Sequence, residues 1–245
     1  PGGLSFAGHI PSEKDSFFYA ETSFDRVRPY VQVLKETFSE HAFFAYPYRQ
    51  TYVVCADRMY TPVPARAFAA KHTEALMSFV YLSPTSKALH EPIEELELEL
   101  LFSFPEEAYT CCSHSLTLPQ FTHAITHNLR RWRRQSARTL PRQLCVSVHE
   151  RIMDAACFDR GTLLFLNSFE VESVADMLYY ILYIWKQTGT ADELLLSAAP
   201  PLYGVLADTL RKYVSHIAPL HPSAEVEAGK ALVPLDIISL FGCES

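Results

Sequence analysis

Cys111, Cys112, His114, His123 and His127 place two thiols and three imidazoles in one short stretch. Sulfur and imidazole are donors that zinc takes readily. His123 and His127 lie four apart and would share one face of a helix. Ala-Ile-Thr stands between them, so the glutamate of a HExxH hydrolase is missing. Adjacent cysteines on one rigid turn also chelate a tetrahedral ion poorly. The reading is part-buried thiols and surface histidines, with no metal site. A second group is the run RRWRRQSARTLPR, which holds Arg130, Arg131, Arg133, Arg134, Arg138 and Arg142 around Trp132. Guanidinium groups grip phosphate and an interleaved aromatic can stack on a base, so this run is a candidate contact for RNA or an acidic partner. Cations near a helix C-terminus are also what the helix dipole favours, which gives the run a purely structural reading. A third pair, Cys157 and His149, would be a thiol–imidazole dyad if the two met on adjacent strands. No GxSxG and no oxyanion loop accompany it, so Cys157 is read as a structural thiol.

These side chains need elements to hold them. In the first half, LSFAGHI and SFFYAETSF read as strands. Asp25 precedes a helical pattern over 27–38, in which Val27, Tyr30, Val31, Leu34 and Phe38 recur at helical spacing. QTYVVCAD reads as a short buried strand, and Pro62 and Pro64 make MYTPVPARAF an edge or a turn. LELELLFSF alternates as a strand over 96–104. Pro105-Glu106-Glu107 opens a helix, with carboxylates at its positive end. QFTHAI leads from a strand into the helix THNLRRWRRQ.

Residues 136–141 read as a boundary, dividing the chain into 1–140 and 141–245. Beyond it Leu144, Val146 and Val148 point one way in a strand, 152–158 form a second, and 162–169 a third. Asp159-Arg160-Gly161 makes the second turn, with Gly161 free to take positive φ. Ser173 and Asp176 form a capping box ahead of Val174, Met177, Leu178, Ile181, Leu182 and Trp185, and Gly189 closes the helix. Tyr179, Tyr180 and Tyr183 cover its other side, so little of that helix is made for water. A strand over 193–197 and a helix over 203–214 follow. The second half therefore reads βββαβα, and the order of elements in the first half can be read the same way.

The segment CVSVHERIMDAACFDRGTLLFLNSFEVESVADMLYYILYIWKQTG resembles the central block of an uncharacterised family found mainly in Bacteroidetes, the domain of unknown function DUF3822. YPYRQTYVVCADRMYTPVPARAF is similar to that family's first-half strand pair, and PLDIISLFGCES to its C-terminal ending. The resemblance implies an α/β protein with a two-lobed actin-like ATPase (ribonuclease H-like) fold, each lobe a mixed sheet of βββαβα type, and no assigned activity. It also implies that the family's opening strand lies before Gly2-Gly3.

Actin-like ATPases hold nucleotide with glycine-containing loops, because backbone N–H groups must approach phosphate closely. Here the turn in the second half reads Val148-His149-Glu150-Arg151 and has no glycine. The loop after 193–197 reads Ser197-Ala198-Ala199-Pro200-Pro201, with two prolines in place of donors. In the first half Gly2-Gly3-Leu4-Ser5 is the only candidate turn. The expectation is a non-catalytic, degenerate actin-like scaffold or adaptor that binds another macromolecule, with no cofactor. The alternative is an ATP-binding ATPase or kinase using Mg²⁺ in an unusual interlobe cleft, with Ser147, His149, Asn167 and Ser197 as its polar groups. The arginine run, Arg130 to Arg134 with Trp132, supports a third reading, an RNA-associated adaptor.

Bulk properties narrow the partners. At 49% hydrophobic and 20% charged, the 245 residues suit one large α/β domain or two small ones. A net charge of −7 weighs against wholesale nucleic-acid or anionic-membrane binding and leaves protein as the expected partner. The longest apolar run, 177–185, is far too short for membrane insertion. Six cysteines without a CxxC pair fit free thiols in a reducing, cytoplasmic compartment.

Overall fold

The computed structural model describes residues 3–8, 10, 13, 16–24, 28–81, 86–136, 142–189 and 192–220. Its backbone contacts fall into two units, Pro1–Ala124 and Ile125–Ser245. The C-terminal motif PLDIISLFGCES, the residues Asp25 and Val27, and Arg138 lie outside the described residues.

In the second unit α4 (Ala124–Ser136) leads into three consecutive strands, β8 (Arg142–His149), β9 (Ile152–Asp159) and β10 (Thr162–Glu170). Helix α5 (Val174–Gln187), β11 (Glu193–Ser197), α6 (Pro200–Leu210) and β12 (Ile217–Pro219) follow. The strands form one sheet in the order β10-β9-β8-β11-β12. The meander is antiparallel, and β11 and β12 join it in parallel beside β8. A two-residue turn, Arg160-Gly161, closes β9 onto β10 with both residues at positive φ, as the right-handed strand twist prefers. Leu144, Val146 and Val148 share one face and pack under α5 and α6 with Ile181, Ile184 and Leu206. On the opposite face Cys145, Ala156 and Phe158 are also fully buried, which accounts for the apolar runs in these strands.

Helix α5 shows why its sequence is legible. Ser173 Oγ accepts from the Asp176 amide at 3.2 Å while Asp176 Oδ2 accepts from the Ser173 amide at 2.9 Å. At the other end Arg142 donates from Nη1 to the Thr188 carbonyl at 3.0 Å and from Nη2 to Asp159 at 2.8 Å. Arg142 thus caps a helix C-terminus, where a cation is favoured. Two expectations for these helices need correction. Tyr179 and Tyr183 are 63% and 51% exposed, so the outer face of α5 is open, and only Tyr180 is tucked in, stacked on Phe169 at 4.4 Å. Helix α6 begins at Pro200 rather than near 203, because proline is tolerated in a first turn whose N–H groups lack helical partners anyway.

The first unit holds β1 (Gly3–Gly8), β2 (Phe18–Ser23), α1 (Tyr30–Glu40), β3 (Thr51–Cys55), β4 (Tyr60–Pro64), α2 (Thr73–Val80), β5 (Ser86–Ile93), β6 (Leu98–Pro105), α3 (Glu106–Ser115) and β7 (Pro119–His123). Among the described residues these strands do not form one βββαβα sheet. They pair as the hairpin β1–β2, the parallel pair β3–β7 and the antiparallel sheet β4-β6-β5. Pro62, Pro64 and Pro92 confine β4 and β5 to edges, since proline cannot donate to a ladder on both sides. Central β6 is fully buried at Leu100, Leu101 and Phe102 instead of alternating. Helix α1 starts at Tyr30, because Pro29 disfavours helical geometry at the residue before it.

Candidate functional site

The two second-unit loops where phosphate contacts are expected have a definite geometry. His149 and Ile152 face each other across β8 and β9, and Glu150-Arg151 is the loop between them. Glu150 sits at φ +50°, the left-handed region where glycine is favoured. The Arg151 carbonyl accepts from the Val171 amide at 2.8 Å, and the Arg151 guanidinium pairs with Glu170 and Glu172. The turn is thus tied to the start of the segment after β10, and its one guanidinium is paired with two carboxylates. At the second loop, Pro200 and Pro201 remove two N–H donors from the first turn of α6, and Ala199 supplies no side-chain cap. In the first unit Gly3 lies within β1 rather than in a turn. An added Cβ there would come within 2.6 Å of the Thr22 carbonyl oxygen, so this glycine serves strand pairing.

Ser147 and Ser197 stand side by side in the register of β8 and β11. Ser147 also faces Asp154 on β9, and Asp154 faces Ser168 on β10, whose hydroxyl donates to the Asp154 carboxylate. A polar row thus crosses four strands on one face of the sheet. His149 is on the same face two residues further along β8, exposed beside the turn. Asn167 is one residue out of phase with Ser168, on the opposite face, and its Oδ1 accepts from the Ser168 amide at 2.9 Å. Of the four predicted polar groups the sheet brings together Ser147, Ser197 and His149, and it leaves Asn167 apart. Asp154 is absent from the predicted set because it sits inside the apolar run IMDAACF, where the lone carboxylate is the available signal.

On α4, Trp132 is completely buried. An indole in that state is core and offers no platform for a base. Arg130, Arg131 and Arg134 each interact within the chain. Ser136 is buried and donates to the Arg133 carbonyl at 3.0 Å. Around the buried Trp132, Arg130, Arg131 and Arg133 are half-buried and Arg134 is exposed, while Arg142 serves the end of α5.

The Cys157–His149 dyad does not form. His149 pairs with Ile152, whereas Cys157 pairs with Leu144, which puts the two about 16 Å apart along the strands. In the first unit a different constellation does form. The parallel pairing of β3 and β7 sets Cys55 against His123. A Cys55 sulfur, an Asp57 carboxylate oxygen and a His123 ring nitrogen all lie within 4.8 Å of one another. His123 Nε2 is 3.6 Å from Asp57 Oδ1, which also accepts from the Met59 amide at 2.8 Å. The imidazole is held between the rings of Tyr60, at 4.9 Å, and Phe102, at 5.6 Å. Its backbone amide donates to Glu91 Oε1 at 2.7 Å, and Thr122 donates to the other oxygen of the same carboxylate. Burial, reinforced by the Asp57 charge, holds the Cys55 thiol well above its ordinary range, and it donates to the Ser103 carbonyl at 3.6 Å. Burial likewise pushes Cys112 up to about 12. These are neutral thiols, not preformed thiolate nucleophiles.

A family model described as "Protein of unknown function (DUF3822)" matches residues 1–217. The chain belongs to the DUF3822 family. Among solved structures, a Bacteroides thetaiotaomicron protein described as having an actin-like ATPase fold and unknown function aligns with a TM-score of 0.85 at 23% identity, over 99% of this chain and 93% of the other. A chain of the PilM-PilN type IV pilus biogenesis complex aligns with a TM-score of 0.62 at 11% identity, over 100% of this chain and 96% of that one. No curated protein matches. Both alignments give the DUF3822 chain the α/β actin-like ATPase fold expected of it. No helix among its described residues is long and apolar enough to cross a membrane.

The meeting of Cys55 and His123 in this DUF3822 protein is not legible in its sequence. Cys55 and His123 are distant along the chain and meet only through the β3–β7 pairing, which no local pattern announces. The zinc-type set drawn from Cys111, Cys112, His114, His123 and His127 contributes one member, His123, to the cluster that the fold assembles.

Proposed function

We propose that this DUF3822 protein is a non-catalytic scaffold or adaptor that uses an actin-like fold to bind another macromolecule, with protein as the preferred partner. One observation carries the reading: neither second-unit loop at the expected phosphate positions contains a glycine. The β8–β9 turn carries Glu150 where glycine is favoured, with Glu170 and Glu172 paired to its Arg151, and α6 opens on Pro200-Pro201. Phosphate binding at such positions depends on backbone N–H groups that can approach closely. The exposed rings of Tyr179 and Tyr183 on α5, 6.1 Å apart and nearly parallel, supply aromatic surface of the kind enriched at protein interfaces. A neighbour of the same fold is seen in the PilM-PilN complex, which is a precedent for the fold in a protein assembly. A cytoplasmic setting belongs to the same proposal, supported by the free thiols Cys55, Cys111, Cys112, Cys145 and Cys157.

Isothermal titration of the purified chain with ATP plus Mg²⁺ tests the reading. The expected result is no binding at micromolar concentration and no turnover. Micromolar affinity or hydrolysis would overturn it. Affinity capture supplies the positive arm: a protein recovered with the native chain is expected to be lost with the Tyr179→Ala/Tyr183→Ala variant.

A further inference from the structure

We propose that Cys55, Asp57 and His123 form a binding site for a divalent cation of the zinc class, with three protein donors and one coordination position left for water or an exogenous ligand. The donor set comes from two different places in the fold. Cys55 ends β3 and His123 ends β7, side by side in a parallel pair, and Asp57 follows two residues after the strand. One thiolate, one imidazole and one carboxylate is a mixture that suits Zn²⁺ and is a poor match for Mg²⁺ or Ca²⁺, which take oxygen donors.

The geometry is close to what such an ion needs. Bond lengths of about 2.0–2.3 Å place neighbouring ligand atoms of a tetrahedron roughly 3.3–3.8 Å apart. His123 Nε2 and Asp57 Oδ1 are already 3.6 Å apart, and all three donor atoms fall within 4.8 Å. Side-chain adjustment of about an ångström closes the remainder. The surroundings orient the donors as outer-shell groups do in metal sites. Tyr60 and Phe102 fix the imidazole plane, and Glu91 anchors the His123 backbone. The Met59 amide holds Asp57 Oδ1 in place. The His123 side chain is 2% exposed and that of Asp57 34%, so the open position is reached from the Asp57 side. A thiol nucleophile assisted by His123 fits less well, because Cys55 is buried and its thiol donates to the Ser103 carbonyl. A metal ion replaces the thiol proton on binding and needs no such access.

The test uses the purified full chain, stripped with chelator and titrated with Co²⁺ and then Zn²⁺. One equivalent of Co²⁺ is expected to produce thiolate-to-metal charge-transfer absorption, which Zn²⁺ displaces. Zn²⁺ is also expected to raise the melting temperature, reversibly with chelator. Cys55→Ser should abolish the absorption, and Asp57→Asn should weaken Zn²⁺ binding by at least the roughly 10-fold that even an outer-shell change costs. Cys112→Ser, on α3, should leave both unchanged. Should Cys55→Ser fail to fold, Asp57→Asn decides, since that side chain is partly exposed. Absence of the absorption in the native chain, its survival in Cys55→Ser, or unchanged affinity in Asp57→Asn would overturn the proposal. Each of those outcomes leaves the scaffold reading intact, because that reading stands or falls on ATP binding.

Discussion

Glu150 holds a left-handed conformation without being glycine, asparagine or aspartate. A side chain with a Cβ pays for that backbone geometry by about 1–2 kcal/mol. A β-branched residue is worse, because its second γ substituent crowds the carbonyl further. Glu150→Val is therefore expected to lower unfolding free energy by about 1–2 kcal/mol, and Glu150→Gly to leave it unchanged or slightly raised. Urea denaturation of the two variants checks the order. Equal losses for both would show that the side-chain contacts of Glu150, not its backbone, set its worth. The same turn shows what is legible in sequence at this scale. His149-Glu150-Arg151 contains no glycine, so a side chain must occupy the left-handed position that the turn requires.

At the scale of elements, α5 and α4 show what patterns do and do not reveal. Helix α5 is readable from end to end because its cap, its periodic apolar face and its closing glycine agree. Gly189 lies at φ +78° just past the helix, and Ser173 and Asp176 satisfy each other's amides. Ser173→Ala is expected to cost about 1 kcal/mol, read as a lowered denaturation midpoint with unchanged slope. Helix α4 is readable as a helix but not as to which side faces in. Its arginines draw attention to charge, whereas its fixed point is the fully buried Trp132. Trp132→Ala is expected to destabilise by about 3–5 kcal/mol, as loss of a large core side chain does. A loss under about 1 kcal/mol would restore the case for an exposed, base-stacking indole. Strand β5 has no sequence signal of its own: SKALHEPI carries few apolar residues and a proline, and it becomes a strand by pairing with β6. Pairing of that kind is a tertiary decision, which propensity cannot anticipate.

For the whole molecule, the second unit is legible as a string of elements and the first is not. Successive strands of the meander pair with their immediate neighbours, so chain order and sheet order nearly coincide. In the first unit β3 skips three strands to reach β7, and β4, β5 and β6 close on themselves in between. The sequence suggests βββαβα in both halves, because order of elements does not encode which strands meet. The polar row is half visible for the same reason: Ser147 and Ser197 can be named from the sequence, but Asp154, Ser168 and the register that joins them cannot.

The β3–β7 pairing has a kinetic side. Its two strands are separated by the whole β4-β6-β5 sheet and helix α3, so closing the register brings together distant parts of the chain. Closure entropy grows with that separation, so late formation of this pairing is expected. Cys55 and His123 are then expected to become neighbours near the end of folding, which low φ-values at the β3–β7 pair would check. Any cation held between them would arrive as a latch on a nearly finished domain. It would slow the domain's reopening far more than it would hasten its assembly.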